Sequence, residues 1–280
     1  MFLASIVAGL LGALVGIGGG ILIVPILTIA FKVPVQYAIG ASIIAVIGTS
    51  SGAASAFVKD RISNFKIGTF LNVATTVGAI FGSVTSIFLI RSNLQWVIYL
   101  VFGAVLLSSA YDLYRKSRRE RKLSRQDINV IPNKLADSFE LKGEYHDTVL
   151  KERIVYEAAQ VPGGFAIMVI AGLLSGLLGI GSGTLKVLGM DILMKLPFKV
   201  STTTSNFMIG VTAAASAGIF FLKGYVNLII VGPVAVGVVA GSFLGSKLVE
   251  RSRPLSLRII FIIVLIVAGI EMLQKGLVII

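Results

Sequence analysis

This chain contains apolar segments long enough to cross a lipid bilayer. A transmembrane helix needs about 20 predominantly apolar residues. Stretches of that kind recur along the sequence, at roughly 2–31, 38–58, 65–90, 94–112, 164–194, 201–222, 225–249 and 257–274. Only 14% of the residues are charged, compared with about 25% in an ordinary soluble domain. The sequence therefore predicts an all-α polytopic membrane protein whose main surroundings are lipid.

The charged and reactive residues argue against several other classes. The net charge of +12 comes from Lys and Arg residues between the apolar segments, where cytoplasmic loops collect them, so we expect a lipid bilayer and no nucleic acid as a partner. The chain has no cysteine and a single histidine, His146, in a polar loop. A membrane enzyme would need a nucleophile with its base, or metal ligands. We therefore expect no enzyme, no cofactor and no metal site.

The two halves of the chain repeat each other at a constant offset of 163 positions. This offset aligns the run Gly16 to Gly20 with the run Gly179 to Gly183. Without a gap it also aligns several polar, proline and glycine pairs: Lys32 with Lys195, Pro34 with Pro197, Ser42 with Ser205, Thr49 with Thr212, Asn64 with Asn227, and Gly78 with Gly241. Such matches indicate a duplication. We expect a first membrane repeat at 1–112, a charged cytoplasmic linker at 113–160 and a second membrane repeat at 161–280.

The linker is dense in Lys, Arg, Asp and Glu, with clusters such as Arg118-Arg119 and Arg121-Lys122. Its composition indicates a solvated connection with some amphipathic helix. A regulatory or lipid-headgroup role for the basic clusters is the alternative.

The first apolar segment of each repeat is too long for one span. At 1.5 Å per residue a helix over 2–31 would be about 45 Å long, whereas the hydrocarbon core is about 30 Å thick. Glycine runs are poor helix interior, and they interrupt both 2–31 and 164–194 near the middle. We predict two re-entrant, broken-helix hairpins, each followed by three transmembrane helices.

An odd number of spans in each repeat inverts the second repeat relative to the first. With the linker placed inside, the inverted arrangement has nine Lys and Arg residues inside and four outside; those inside are Lys59, Arg61, Lys66, Lys195, Lys199, Lys247, Arg251, Arg253 and Arg258, and those outside are Lys32, Arg91, Lys223 and Lys275. A parallel arrangement of four full spans per repeat has five inside and eight outside. The positive-inside rule favours inversion, and inverted repeats with broken helices are a recurrent transporter design.

The glycine turns and the polar residues that follow them form the predicted binding site. A helix that begins at a turn directs unpaired N–H groups and a positive dipole end at its surroundings, which favours an anion. The predicted substrate-binding residues are Gly18, Gly19, Gly20, Thr49, Ser50, Gly181, Ser182, Gly183, Lys186, Ser205, Asn206 and Thr212. For the hydroxyl and amide groups, hydrogen bonding between helices and close packing are the alternative.

Lys186 is an ionisable residue inside an apolar segment, which is by default a functional hypothesis. Its counterpart in the first repeat is Ile23. A cation at this position complements an anionic substrate. A salt bridge to Asp191, or a side chain that reaches the membrane surface, is the alternative.

The doubled motif resembles the sulfite exporter TauE/SafE family. The likeness is carried by Gly-Ile-Gly-Gly-Gly-Ile-Leu-Ile-Val-Pro at 16–25, the following Pro34, Ala41-Ser42 and Thr49-Ser50, and their echo after Gly179. The second copy departs from the pattern at Ser182, Lys186 and Leu188. The resemblance implies an inner-membrane transporter of sulfite, thiosulfate or organosulfonates, typically acting outward.

The resulting expectation is a transporter that works by alternating access around a midplane site between the repeats. A channel or carrier for another small anion, such as a carboxylate, and a non-transporting membrane scaffold are the alternatives. The sequence does not indicate an oligomeric state.

Overall fold

The computed structural model describes residues 1–15, 20–59, 64–119, 136, 139–147, 152–249 and 254–279, which are mostly helical. The first half contains α1 (Phe2–Val15), α2 (Gly20–Pro25), which continues as a π-helical turn (Ile26–Ala30), α3 (Val35–Lys59), α4 (Phe65–Arg91) and α5 (Gln95–Arg119). The second half contains α6 (Val161–Leu178), α7 (Gly183–Leu188) with its own π-helical turn (Gly189–Leu193), α8 (Phe198–Leu222), α9 (Leu228–Val249) and α10 (Pro254–Ile279). A hairpin of two antiparallel strands, β1 (Lys142–Asp147) and β2 (Glu152–Glu157), lies between the halves.

Six helical segments of the described residues are long and apolar enough to cross a membrane: Phe65–Arg91, Gln95–Arg115, Val161–Leu178, Lys199–Leu222, Leu228–Gly245 and Ile259–Ile279. Their outer faces carry large exposed apolar side chains, such as Phe81, Ile229 and Phe243, which lipid solvates and water does not. The predicted class, an all-α polytopic membrane protein, is confirmed.

The helices recur at the interval that the duplication predicts. The interval of 163 positions that separates Gly20 from Gly183 also relates the first and last residues of α3 to those of α8. Lys32 and Lys195, another matched pair, both have a φ of 52°. Asn64 and Asn227 each accept a hydrogen bond from a backbone N–H near the start of the following helix. These matched residues therefore shape corresponding turns and helix starts.

Each half packs its first helix against a helix of the other half. A Cβ atom at Gly172 of α6 would lie 2.1 Å from the carbonyl oxygen of Thr75 on α4. At the corresponding position of α1, a Cβ atom at Gly9 would lie 2.2 Å from the carbonyl oxygen of Val238 on α9. Glycine thus allows the two backbones to touch, as small residues commonly do between membrane helices. These matching contacts are the ones that a pseudo-twofold relation between the two halves predicts.

Corresponding helices of the two halves run antiparallel to each other. In α3 and α8, Ser50 contacts Gly210, whereas Gly40 near the start of α3 meets Tyr225 just beyond the end of α8. In α5 and α10, Gly103 contacts Leu273, while Gly269 contacts Leu107. An inverted repeat requires this antiparallel arrangement. The inversion itself, with its orientation in the membrane, stays a prediction that this packing supports.

The apolar segment 164–194, which begins the second repeat, folds back on itself. Gly164 near the start of α6 packs against Met194, which directly follows the π-helical turn, and the N–H of Ala159 donates to the carbonyl of Met194 at 2.9 Å. The entrance and the exit of this segment therefore lie side by side. A chain with this course can enter and leave a bilayer on one side, as the re-entrant prediction requires, although α6 alone is long enough to span.

The predicted linker differs from expectation in two ways. Helix α5 continues beyond residue 112 to Arg119, and residues 142–147 and 152–157 form the two paired strands where the composition indicated only solvated chain and amphipathic helix. Tyr145 and Tyr156 are buried on one face of the hairpin. An alternation of buried and exposed residues is the pattern of a strand that covers a surface, and the charged residues on the other face obscured it.

The β-hairpin is attached to the membrane helices at the start of α4. The side-chain amide of Asn64 donates to the carbonyl of Lys142 at 3.3 Å and to the hydroxyl of Tyr156 at 3.1 Å, and the backbone N–H of Asn64 donates to Thr204 Oγ1 of α8 at 3.1 Å. Lys66 forms an exposed ion pair with Glu140 that lowers the pKa of this carboxyl. One residue, Asn64, therefore joins the hairpin to helices from both halves.

Candidate substrate-binding site

The turn between α6 and α7 is built from residues with left-handed backbone conformations. Gly179 has a φ of 72° and Gly181 a φ of 77°, values that glycine adopts at little cost. Ser182 has a φ of 47° without the freedom of glycine. The glycines thus end α6 and redirect the chain into α7 at Gly183. The first N–H groups of α7 have no acceptor within the helix.

This turn lies where α3 and α8 cross. A Cβ atom at Gly181 would lie 2.9 Å from a side-chain carbon of Ile209 and 3.1 Å from one of Val46. Val46 and Ile209 are counterparts in the duplication, one on α3 and the other on α8. The second glycine turn is therefore wedged at the pseudo-twofold centre of the molecule.

Ser42 of α3 connects the two hairpins. Its Oγ lies 2.9 Å from the carbonyl oxygen of Gly20 and 2.8 Å from that of Gly179, so its single O–H is shared between carbonyls of both hairpins. A Cβ atom at Gly20 would also meet the side chain of Val46. The start of α2 and the end of α6 are therefore brought together on α3. Gly18 and Gly19, which were predicted to form the first turn, lie outside the described residues.

Lys186 is fully buried on α7, with 0% of its surface exposed. Its Nζ donates to Thr212 Oγ1 at 2.8 Å and to the carbonyl oxygen of Met208 at 3.4 Å. No ion pair between Lys186 and Asp191 occurs among the described residues, and the side chain does not reach a surface. Both alternatives for Lys186 are therefore wrong in this structure.

The hydroxyl of Thr212, which accepts the hydrogen bond from Lys186, extends the polar contact to a third helix. Thr212 Oγ1 lies 3.1 Å from Thr75 Oγ1 on α4, and Thr75 in turn lies 3.3 Å from the side-chain oxygen of Asn72. This buried row links α7 and α8 of the second half to α4 of the first. The sequence did not single out Thr75, because its counterpart is Val238 and the duplication therefore gives no matching signal.

The remaining predicted residues divide into contacts between helices and contacts within one helix. Ser50 donates to the carbonyl of Asn206 across the crossing of α3 and α8. Thr49 and Ser205 donate to carbonyls of their own helices, those of Val46 and Thr202. The structure thus brings Ser50 and Asn206 together, whereas Thr49 and Ser205 bond within their own helices, and their role in substrate binding stays a prediction.

Ser182 has an unsatisfied polar group at the second turn. Its side-chain oxygen is buried without a hydrogen-bond partner among the described residues, and the residue is 4% exposed. Leaving a buried hydroxyl unpaired costs about 1–3 kcal/mol. Such a group is available to a bound solute. The described residues contain no cluster of His, Cys, Asp and Glu that could hold a metal ion.

Comparison with known sequences assigns the chain to a family. The profile of the family "Sulfite exporter TauE/SafE" matches residues 1–272. The chain belongs to the sulfite exporter TauE/SafE family. The family match spans both glycine turns, both sets of long helices and the intervening linker, so the site lies within the part that defines membership.

Curated relatives of this TauE/SafE chain are described as membrane transporters. It is 29% identical to the probable membrane transporter protein YunE of Bacillus subtilis, over 97% of this chain and 96% of the relative. It is 26% identical to the probable membrane transporter protein YdhB of Bacillus subtilis, over 98% and 97%. The probable membrane transporter protein MJ0441 of Methanocaldococcus jannaschii is also 26% identical, over 98% and 94%. No solved structure matches.

Proposed function

We propose that this TauE/SafE protein is a transporter that carries small sulfur-containing anions, such as sulfite, thiosulfate or organosulfonates, across the cell's inner membrane, with export as the direction. Family membership and the transporter relatives support membrane transport. The linker lies on the cytoplasmic side in this proposal. The anionic substrate follows from the chemistry of the site, and the sulfur from the family.

The observation that carries the proposal is the meeting of both broken hairpins beside a buried lysine. Ser42 holds Gly20 and Gly179 together, and Lys186 lies on the helix that leaves the second turn. A fully buried ammonium is costly without a countercharge. A small anion bound near the turn supplies that charge, while the free hydroxyl of Ser182 and the first N–H groups of α7 donate to its oxygens.

The packing also supports alternating access. The proposed site lies between the two halves, where the antiparallel helices α3 and α8 cross, and each hairpin packs mainly on helices of the other half. A rocking motion of one half against the other would expose such a site to each side in turn. Substrate therefore binds between the repeats near the middle of the membrane.

Reconstitution into liposomes tests the function. We expect labelled thiosulfate to enter protein-containing liposomes faster than protein-free liposomes. Unlabelled thiosulfate, sulfite or sulfoacetate preloaded inside should accelerate this entry, because a carrier exchanges substrates. We expect Lys186→Met to reduce this flux at least about tenfold, equivalent to 1.4 kcal/mol of lost stabilisation. Lys275→Met, which removes a half-buried lysine elsewhere, is the matched control and should retain flux.

Different failures reject different parts of the proposal. Flux without acceleration by internal substrate would indicate a channel. Exchange of small carboxylates but of none of the sulfur anions would reject the sulfur assignment. If the flux of all of these anions equals the flux into protein-free liposomes, transport of small anions is rejected and the scaffold alternative remains.

A further inference from the structure

We propose that the transporter binds its anion together with one proton, which Lys186 takes up at Nζ. This inference rests on the proposed function, because it concerns the same site. It makes the protein a proton-coupled anion carrier whose coupling group is an amine.

The hydrogen-bond partners of Lys186 match a neutral amine. A neutral amine has two N–H donors, and the structure provides two acceptors, Thr212 Oγ1 at 2.8 Å and the carbonyl oxygen of Met208 at 3.4 Å. An ammonium has three donors. Its third N–H has no acceptor among the described residues, and the side chain is 0% exposed to bulk solvent. These contacts therefore accommodate the uncharged form of the amine.

The surroundings of Lys186 offer little countercharge. Helix α6 carries no charged residue, and α4 carries Lys66 and Arg91, both exposed near its ends. On the other packed elements, Lys199 lies at the start of α8, and Asp191 lies on the π-helical turn after α7. Asp191 is partly exposed and already engaged in an interaction. Within the part of the chain that the structure describes, no ion pair is therefore provided for a protonated Lys186, and a bound anion would supply the countercharge.

Binding of the anion and the proton are consequently linked. An uncompensated charge in a buried site costs several kcal/mol, so the protonated lysine is stabilised when an anion lies next to it. Linkage is reciprocal, and the proton must strengthen anion binding by the same factor. The anion and the protonated lysine each offset the free-energy cost of burying the other's charge.

The charge balance follows directly. The amine accepts a proton at its lone pair and becomes an ammonium when the anion binds, and it returns the proton when the anion leaves. For a monovalent sulfonate the loaded site carries the same net charge as the empty one. For thiosulfate the loaded site carries one additional negative charge.

Proton uptake in solution tests the inference. Purified protein in detergent, in weakly buffered solution with a pH indicator, is mixed with thiosulfate or with methanesulfonate. Both are anions of strong acids, so near neutral pH they bring no proton with them. We expect wild-type protein to take up as much as about one proton per anion bound.

Three variants identify the residue responsible. In Lys186→Arg, the guanidinium is always protonated, so the anion should bind without proton uptake. In Lys186→Met both binding and proton uptake should be lost, whereas Lys275→Met should behave as wild type. Size-exclusion profiles and thermal unfolding show whether each variant is folded.

The outcomes separate this inference from the proposed function. The test covers about pH 6 to 9, around neutral pH. If the wild type binds the anion without proton uptake in this range, proton coupling is overturned and the proposed transport function still stands. Equal proton uptake by folded wild type and Lys186→Met assigns the proton to another group. If no sulfur anion binds to or crosses with the wild type, the proposed function fails and this inference fails with it.

Discussion

At the scale of single residues, the two halves differ at two buried positions near the second glycine turn. Lys186 corresponds to Ile23, and Thr75, which extends the polar row from Lys186, corresponds to Val238. Ile23 and Lys186 are both fully buried. Duplication thus preserved the backbone at these positions, while the chemistry became specific to one half. The proposed binding site is therefore asymmetric, although the two halves have matching helices.

The shared hydrogen bonds of Ser42 lead to a prediction about stability. Ser42→Ala leaves two buried carbonyls, those of Gly20 and Gly179, without this donor. Hydrogen bonds between membrane segments contribute roughly 1 kcal/mol, and we expect a loss of that size in the free energy of unfolding. The measurement is thermal unfolding in detergent.

Ser51→Ala is the control on the same helix. Ser51 is exposed and donates to the carbonyl of Ile47 in its own turn, so its removal should change stability little. Equal losses in both variants would show that Ser42 does not join the hairpins.

At the scale of helices, glycine determines how closely the two halves approach. A Cβ atom at Gly172 or at Gly9 would lie within about 2.2 Å of a backbone carbonyl oxygen on the facing helix, far inside van der Waals contact. We expect Gly172→Ala and Gly9→Ala to lower the unfolding temperature by similar amounts, because the facing backbones must separate.

Gly232→Ala provides the comparison for these variants. Gly232 lies on α9 with open space around it, and alanine there should be neutral or stabilise the helix by up to about 1 kcal/mol. If Gly172→Ala is as stable as Gly232→Ala, the close contact between α4 and α6 is wrong.

The sequence predicted most helices but not the β-hairpin, for a physical reason. The length and apolarity of a segment predict a membrane helix, and the glycine run at 179–183 correctly predicted the end of α6. The hairpin is short, and only one of its faces is buried, through Tyr145 and Tyr156, so its charged face dominates the composition. Contacts such as that of Ser42 with both hairpins depend on how distant helices pack, which periodicity does not specify.

At the scale of the whole molecule, inversion of the second half is the prediction with the widest consequences. The chain has no cysteine, so single cysteines can be labelled with a maleimide that does not cross membranes. We expect Lys223→Cys, an exposed position after α8, to react from outside intact cells. A parallel arrangement places this residue inside.

Two further positions calibrate the labelling. Ser92→Cys, between α4 and α5, should react from outside in either arrangement, and Lys142→Cys in the β-hairpin should react only after the membrane is permeabilised. Protection of Lys223→Cys in intact cells, with the expected behaviour of both reference positions, would contradict inversion.

The exchange of first helices between the halves has an evolutionary consequence. Helix α1 finds its partner in α9, and α6 finds its partner in α4, so one unit alone would leave these glycine-lined faces uncovered. A single unit would therefore need a second copy in the opposite orientation in the same bilayer to cover them. In one fused chain the two halves can mutate separately, which allows a lysine on one side only.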